Sequence, residues 1–195
     1  GFEINHYLKD TIKRYFWENA RALDTSNASF TFFCGLNSIQ KKTKYSYYKK
    51  AQALNPTLYE PNLLLGQFYK HEHLYDSAYY FLALASQIMP ANLSLYRNID
   101  ESLQQLKSYQ KAVDNGKKHL KYAISGVDTL KAIAVIASNY LLLDNLDSTY
   151  YYEQKELKLW YKIQPSPDRQ ENYLVSMSTR AQAYLSQKKY THALF

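Results

Sequence analysis

The sequence predicts an all-α protein of stacked helix-turn-helix repeats. Three observations carry this reading. Gly and Pro number only 5 each in 195 residues, too little turn chemistry for the many hairpins of an all-β chain. Apolar residues recur at helical rather than alternating spacing, as in "YDSAYYFLALASQIMP", residues 75–90. Landmark residues recur 34 positions apart: Pro56 and Pro90, Ala51 and Ala85, Ala78 and Ala112.

Taken in order, residues 1–24 hold an N-terminal helix. Its Ile4, Tyr7, Leu8, Ile12, Tyr15, Phe16 and Ala20 recur at 3.6 spacing, as a cap or the tail of an earlier repeat would. Residues 25–58 read as a degenerate repeat that keeps only its ending, "AQALNP", with Gly35-Leu36-Asn37 as its turn. Residues 59–92 are the best-preserved unit. Gly66 and Ala78 are small enough to let two antiparallel helices approach, Leu65 and Tyr69 fill the groove beside them, and Pro90 stops the second helix. Pro61 sits near the start of the first helix, where its missing N–H costs nothing.

Residues 93–128 carry the register onward through Ile99, Asp100, Leu103 and Ala112. The period then lengthens. Tyr140 follows Leu103 by 37 residues, with Ala137 and Thr149 as the small residues of a repeat over 129–163. Tyr184 follows Tyr140 by 44, and residues 170–195 form a truncated last repeat after the loop "QPSPDRQ". The inter-helix turn is the best-kept feature: "LYDSA", "SYQKA", "NLDST" and "KYTHA" place Tyr75, Tyr109, Leu146 and Tyr190 three residues before a small residue.

A 34-residue helix-turn-helix period is that of the tetratricopeptide repeat (TPR), and residues 59–92 resemble that family closely. Leu65-Gly66, Tyr69, Ala78, Ala85 and Pro90 stand where its pattern wants them; Asn62 replaces its tryptophan and Leu82 its second-helix aromatic. The resemblance implies one TPR-like domain over 1–195, a right-handed α-solenoid of stacked repeats with the first helices lining a concave binding surface. Beginning with Gly and ending inside an apparent helix, the chain reads as a segment of something longer.

Composition narrows the function classes. The single cysteine, Cys34, rules out an intrachain disulfide framework and a cysteine-based zinc site, and reads as a small buried residue. "HEH" at 71–73 puts two histidines at i and i+2, on different sides of a helix, so a metal site is not expected. His119 stands where the second helix usually carries alanine. No glycine-rich phosphate loop, nucleophile elbow or other convergent catalytic set occurs, so the chain is expected to be neither enzyme nor cofactor binder. The charge of +7 is spread over short lysine pairs rather than a block, which argues against a nucleic-acid surface. No stretch approaches the ~18 apolar residues of a membrane helix, and no signal peptide is visible. The 21 tyrosines read first as packing residues, and then as an aromatic surface for carbohydrate or peptide.

The expected function is that of a non-catalytic scaffold binding a protein or peptide, acidic segments included, on the concave face. Polar residues on that face are Gln67, Lys70, Arg97, Asn98, Glu101, Lys131, Ser138 and Gln182, whose amides and cations suit an extended peptide. Some co-chaperones of the family clamp a partner's C-terminal carboxylate with Lys, Asn, Asn, Lys and Arg. Here those positions are Leu63, Gln67, Asn98, Lys131 and Val135, with two matches, so that ligand is not expected. The alternative is a sensing module: "DSAYYFLALA" and "LDSTYYYEQKEL" resemble repeat domains of membrane-anchored regulators of the Bacteroidetes group, which would place the domain outside the cytoplasm.

Overall fold

The computed structural model describes residues 2–163, with Ala181 beyond them. The expected loop at 164–170 and the last repeat, with Tyr184, Tyr190 and Gln182, lie outside the described residues. Helices alternate with short turns throughout: α1 (Phe2–Leu23), α2 (Ala28–Leu36), α3 (Lys41–Leu54), α4 (Tyr59–His71), α5 (Tyr75–Ile88), α6 (Leu93–Gln105), α7 (Tyr109–Tyr122), α8 (Gly126–Leu142) and α9 (Leu146–Ile163). Among the described residues there is no strand, so the all-α, TPR-like repeat fold stands. The chain divides into two compact units, residues 1–108 and 109–195.

In the first unit the helix pairs close around glycine. A Cβ on Gly66 would stand 2.5 Å from Leu82 Cγ and 3.1 Å from the Leu82 backbone nitrogen, so only glycine lets α4 lie this close to α5. Leu65, Ala78, Leu82 and Ala85 are fully buried along that seam. Each leucine contributes roughly 1.5 to 3 kcal/mol through burial. Gly35 does the same for the preceding helix pair. It belongs to α2 rather than to a turn, with a would-be Cβ 2.7 Å from Tyr47 Cβ, because close approach to α3 demands it. Residues 25–58 therefore hold a complete helix pair, whose core joins Phe32, Tyr48 and Ala51 to Leu65 of the next pair.

On α1 the helix forms as expected, but a different face meets α2. Ile12, Tyr15 and Phe16 are exposed, while Trp17 stacks on Phe33 at 4.3 Å between ring centroids and takes the Cys34 thiol on its carbonyl. Indole area won over the longer apolar stripe.

In the second unit, Ala112 and Val113 of α7 pack with Ala132, Ile133, Ile136, Ala137 and Leu141 of α8, all buried. Gly116 makes the close approach here, its would-be Cβ 2.7 Å from Ile136 Cγ1.

The turns that end α4, α6 and α8 share one construction. His73, Lys107 and Asp144 adopt left-handed conformations, φ 59°, 54° and 61°. Each following N–H reaches back to a carbonyl five residues earlier: Leu74 to Tyr69 (2.9 Å), Ser108 to Leu103 (2.8 Å) and Asn145 to Tyr140 (3.0 Å). These are Schellman endings, which satisfy carbonyls left open at a helix terminus. Their spacings of 34 and 37 residues repeat those read from the sequence. At the other helix ends, Asn27, Asn92 and Ser125 cap α2, α6 and α8 through side-chain oxygens.

Candidate functional site

The first helices α4 and α6 bring four of the expected residues together. Lys70 Nζ donates to Asn98 Oδ1 at 2.5 Å and pairs with Glu101 Oε2 at 2.6 Å. Arg97 Nε lies 3.8 Å from the other Glu101 oxygen. Asn98 uses its amide nitrogen on the Ser94 carbonyl, so both ends of that side chain are engaged. Glu101 thus holds two cations, one from each helix. The Lys70 side chain is 27% exposed and that of Arg97 76%, so Lys70 is the fixed partner and Arg97 the outward charge. Gln67, one turn before Lys70 on α4, is exposed.

Lys131 and Ser138 lie on α8 of the second unit. Lys131 is exposed, 3.9 Å from Asp128 three residues back, and Ser138 is half-buried. They are described apart from the first group, and Gln182 falls outside the described residues.

The "HEH" turn is committed to local contacts. Glu72 pairs with Lys41 at 2.6 Å, whose hydrogen bond and charge hold the carboxyl below its ordinary range, and His73 Nδ1 meets the Tyr75 hydroxyl at 2.8 Å. Among the described residues no group of three or more His, Cys, Asp or Glu could hold a metal ion, and no helix is long and apolar enough to cross a membrane. Burial raises the Cys34 thiol above its usual range. Asn27 and Asn92 are caps, and Asn92 also donates to the Tyr59 hydroxyl at 2.5 Å.

Reading the sequence singled out turn tyrosines and missed a pairing of aromatics twelve residues apart. Tyr69 of α4 stacks on Phe81 of α5 (5.4 Å, 4° between planes), and Tyr140 of α8 on Tyr152 of α9 (5.7 Å, 21°). In both, the preceding residue of the second helix stands edge-on: Tyr80 to Phe81, Tyr151 to Tyr152. Recurrence of the 12-residue spacing was the available signal. In the first unit the column extends to α3, where Tyr45 stacks on Phe68 at 4.2 Å and its hydroxyl donates to that of Tyr69. Burial, with that phenol beside it, raises the Tyr45 hydroxyl well above the usual tyrosine range.

No protein-family model and no curated protein matches the sequence. Solved structures do match it. A crystal structure of MamA protein superposes with TM-score 0.61 at 16% identity, over 83% of this chain and 88% of that one. A MamA AMB-1 structure gives 0.57 at 16%, over 79% and 91%. Naa15/Naa10 bound to HypK-THB gives 0.66 at 18%, over 98% of this chain and 29% of that one, so the chain spans under a third of that neighbour. At these identities the likeness is one of fold, and the chain is built as a TPR-like stack of helix pairs.

Proposed function

We propose that the protein is a non-catalytic scaffold that binds a protein segment on the polar face of α4 and α6. The carrying observation is the Lys70–Glu101 pair, which ties residues 31 apart in sequence into one fixed polar platform beside Gln67 and Arg97. A partner strand laid across it meets an amide that both donates and accepts, at Gln67, and an outward guanidinium, at Arg97. Because Glu101 already holds Lys70, the preference for an acidic partner rests here on Arg97 alone. Lys131 and Ser138 remain candidates through their repeat register.

One comparison supports the reading: the neighbour Naa15/Naa10 is itself described as bound to HypK-THB, a use of this fold in assembly.

The test is photo-crosslinking from position 67, with position 50 on α3 as the control. One protein captured from 67, absent from 50 and lost on Arg97→Ala with unchanged melting temperature, is the expected result. Equal capture from position 50 would remove the proposal. Capture of no protein, with a small molecule raising the melting temperature, would favour the alternative of a sensing module.

A further inference from the structure

In the second unit three lysines lie over ring faces, Lys117, Lys121 and Lys155; Lys121 covers only its neighbour Tyr122, at 5.7 Å. Lys117 Nζ of α7 sits 5.6 Å from the Tyr140 ring centroid, and Lys155 Nζ of α9 sits 4.4 Å from that of Tyr151 and 5.7 Å from that of Tyr152. Tyr140 and Tyr152 stack on each other, so the cations flank one continuous slab of phenol rings. Elsewhere Lys13, Lys41, Lys70, Arg97 and Lys131 each lie within 4 Å of a carboxylate. Among the described residues Lys117 and Lys155 have no such partner, Asp114 reaching Lys117 only through its field.

We propose that Lys117, Tyr140, Tyr151, Tyr152 and Lys155 form a docking surface for an acidic protein segment. Carboxylates of that segment meet the two ammonium groups, and an apolar side chain between them lies on the tyrosines.

Charge complementarity selects this occupant. α7 ends in Lys117, Lys118 and Lys121 against one acid, Asp114, and α9 adds Lys155 and Lys158 beside Glu153 and the buried Glu156, so positive charge predominates on the surface. An ammonium over a ring keeps its remaining N–H donors for a second partner, and holding it there lessens the ordering cost of binding. Tyr151, 53% exposed, offers apolar area on a side chain with little rotamer freedom to lose. This surface is independent of the α4/α6 platform.

The experiment is fluorescence anisotropy on the full chain with a labelled peptide of three Asp-Leu-Glu-Phe repeats, its Asn/Gln counterpart and a labelled oligothymidylate. Salt-sensitive binding of the acidic peptide is expected, weakened about tenfold or more in Lys117→Gln/Lys155→Gln. Lys42→Gln/Lys50→Gln, with the same charge loss in the first unit, should bind within about twofold of the parent. Melting temperatures of both variants establish that each is folded. Equal loss in the two variants would show a net-charge effect and overturn the proposal. So would tighter binding of the oligothymidylate, equal binding of the uncharged peptide, or no binding at about 1 mM.

Discussion

Asn62 donates its side-chain amide to the carbonyl of Pro56 at 2.8 Å, and one repeat later Tyr96 donates its hydroxyl to the carbonyl of Pro90 at 2.8 Å. The two side chains stand 34 residues apart at equivalent positions, and both close the loop that ends the preceding repeat. Asn62 adds a 2.6 Å bond to the Leu58 carbonyl and is wholly buried. Asn62→Leu keeps the volume and removes the donor for both carbonyls. Chemical denaturation should show a loss of about 1 to 3 kcal/mol with an unchanged m-value; unchanged stability would mean the bonds contribute nothing net.

Gly66 is the tightest point of the α4/α5 pair. Its would-be Cβ meets the Leu82 backbone nitrogen as well as the side chain, so rotation of Leu82 alone cannot make room. Gly66→Ala should cost about 1 to 3 kcal/mol by overpacking, despite alanine's better helix propensity. Ala78→Leu, across the same seam, should cost a similar amount. A rise in melting temperature for Gly66→Ala would refute the packing account.

Lys107 ends α6 with φ 54°, a conformation in which its Cβ is strained. Lys107→Gly should therefore stabilise the protein by about 0.5 to 1 kcal/mol. His73→Gly removes an imidazole that contacts Tyr75, so its gain should be smaller. Thermal melts of the two variants compare them directly.

His119 of α7 is buried, and burial lowers its imidazole below the ordinary histidine value of 6.5; Asp128 partly opposes this and Lys131 adds to it. A depressed folded-state value means the unfolded chain takes up the proton first. Stability is therefore full above pH 6.5 and declines as pH falls toward the folded-state value, by at most about 1.4 kcal/mol per pH unit from this residue. His119→Gln should flatten that region of the pH–stability curve. An unchanged slope would show the histidine is protonated equally in both states.

Breaking the platform should separate charge from fold. Glu101→Gln leaves Lys70 and Arg97 without their shared carboxylate, and with Lys70 only partly buried the cost should be below about 1 kcal/mol. Crosslinking from position 67 should change even though the melting temperature barely moves.

Much of this was legible in the sequence. Turn chemistry too sparse for hairpins, a 34-residue recurrence of Ala and Pro, and a small residue at Gly66 determined the helix pairs and their register, because each repeat must bury the same seam at the same spacing. The register put Lys70, Arg97, Asn98 and Glu101 among eight polar positions of the first helices; that these four meet is seen in the structure. What only the tertiary structure decided are the choices between equally plausible contacts. Trp17, rather than the Ile12 stripe, faces α2 because the larger ring covers Phe33. Gly35 serves close approach rather than a turn, since a Cβ there would meet Tyr47 and Tyr48. Lys70 is held by Glu101, while Lys117 and Lys155 rest on tyrosine rings. Periodicity fixes which positions face one another; whether a lysine there finds a carboxylate or a ring depends on distances that no single helix encodes.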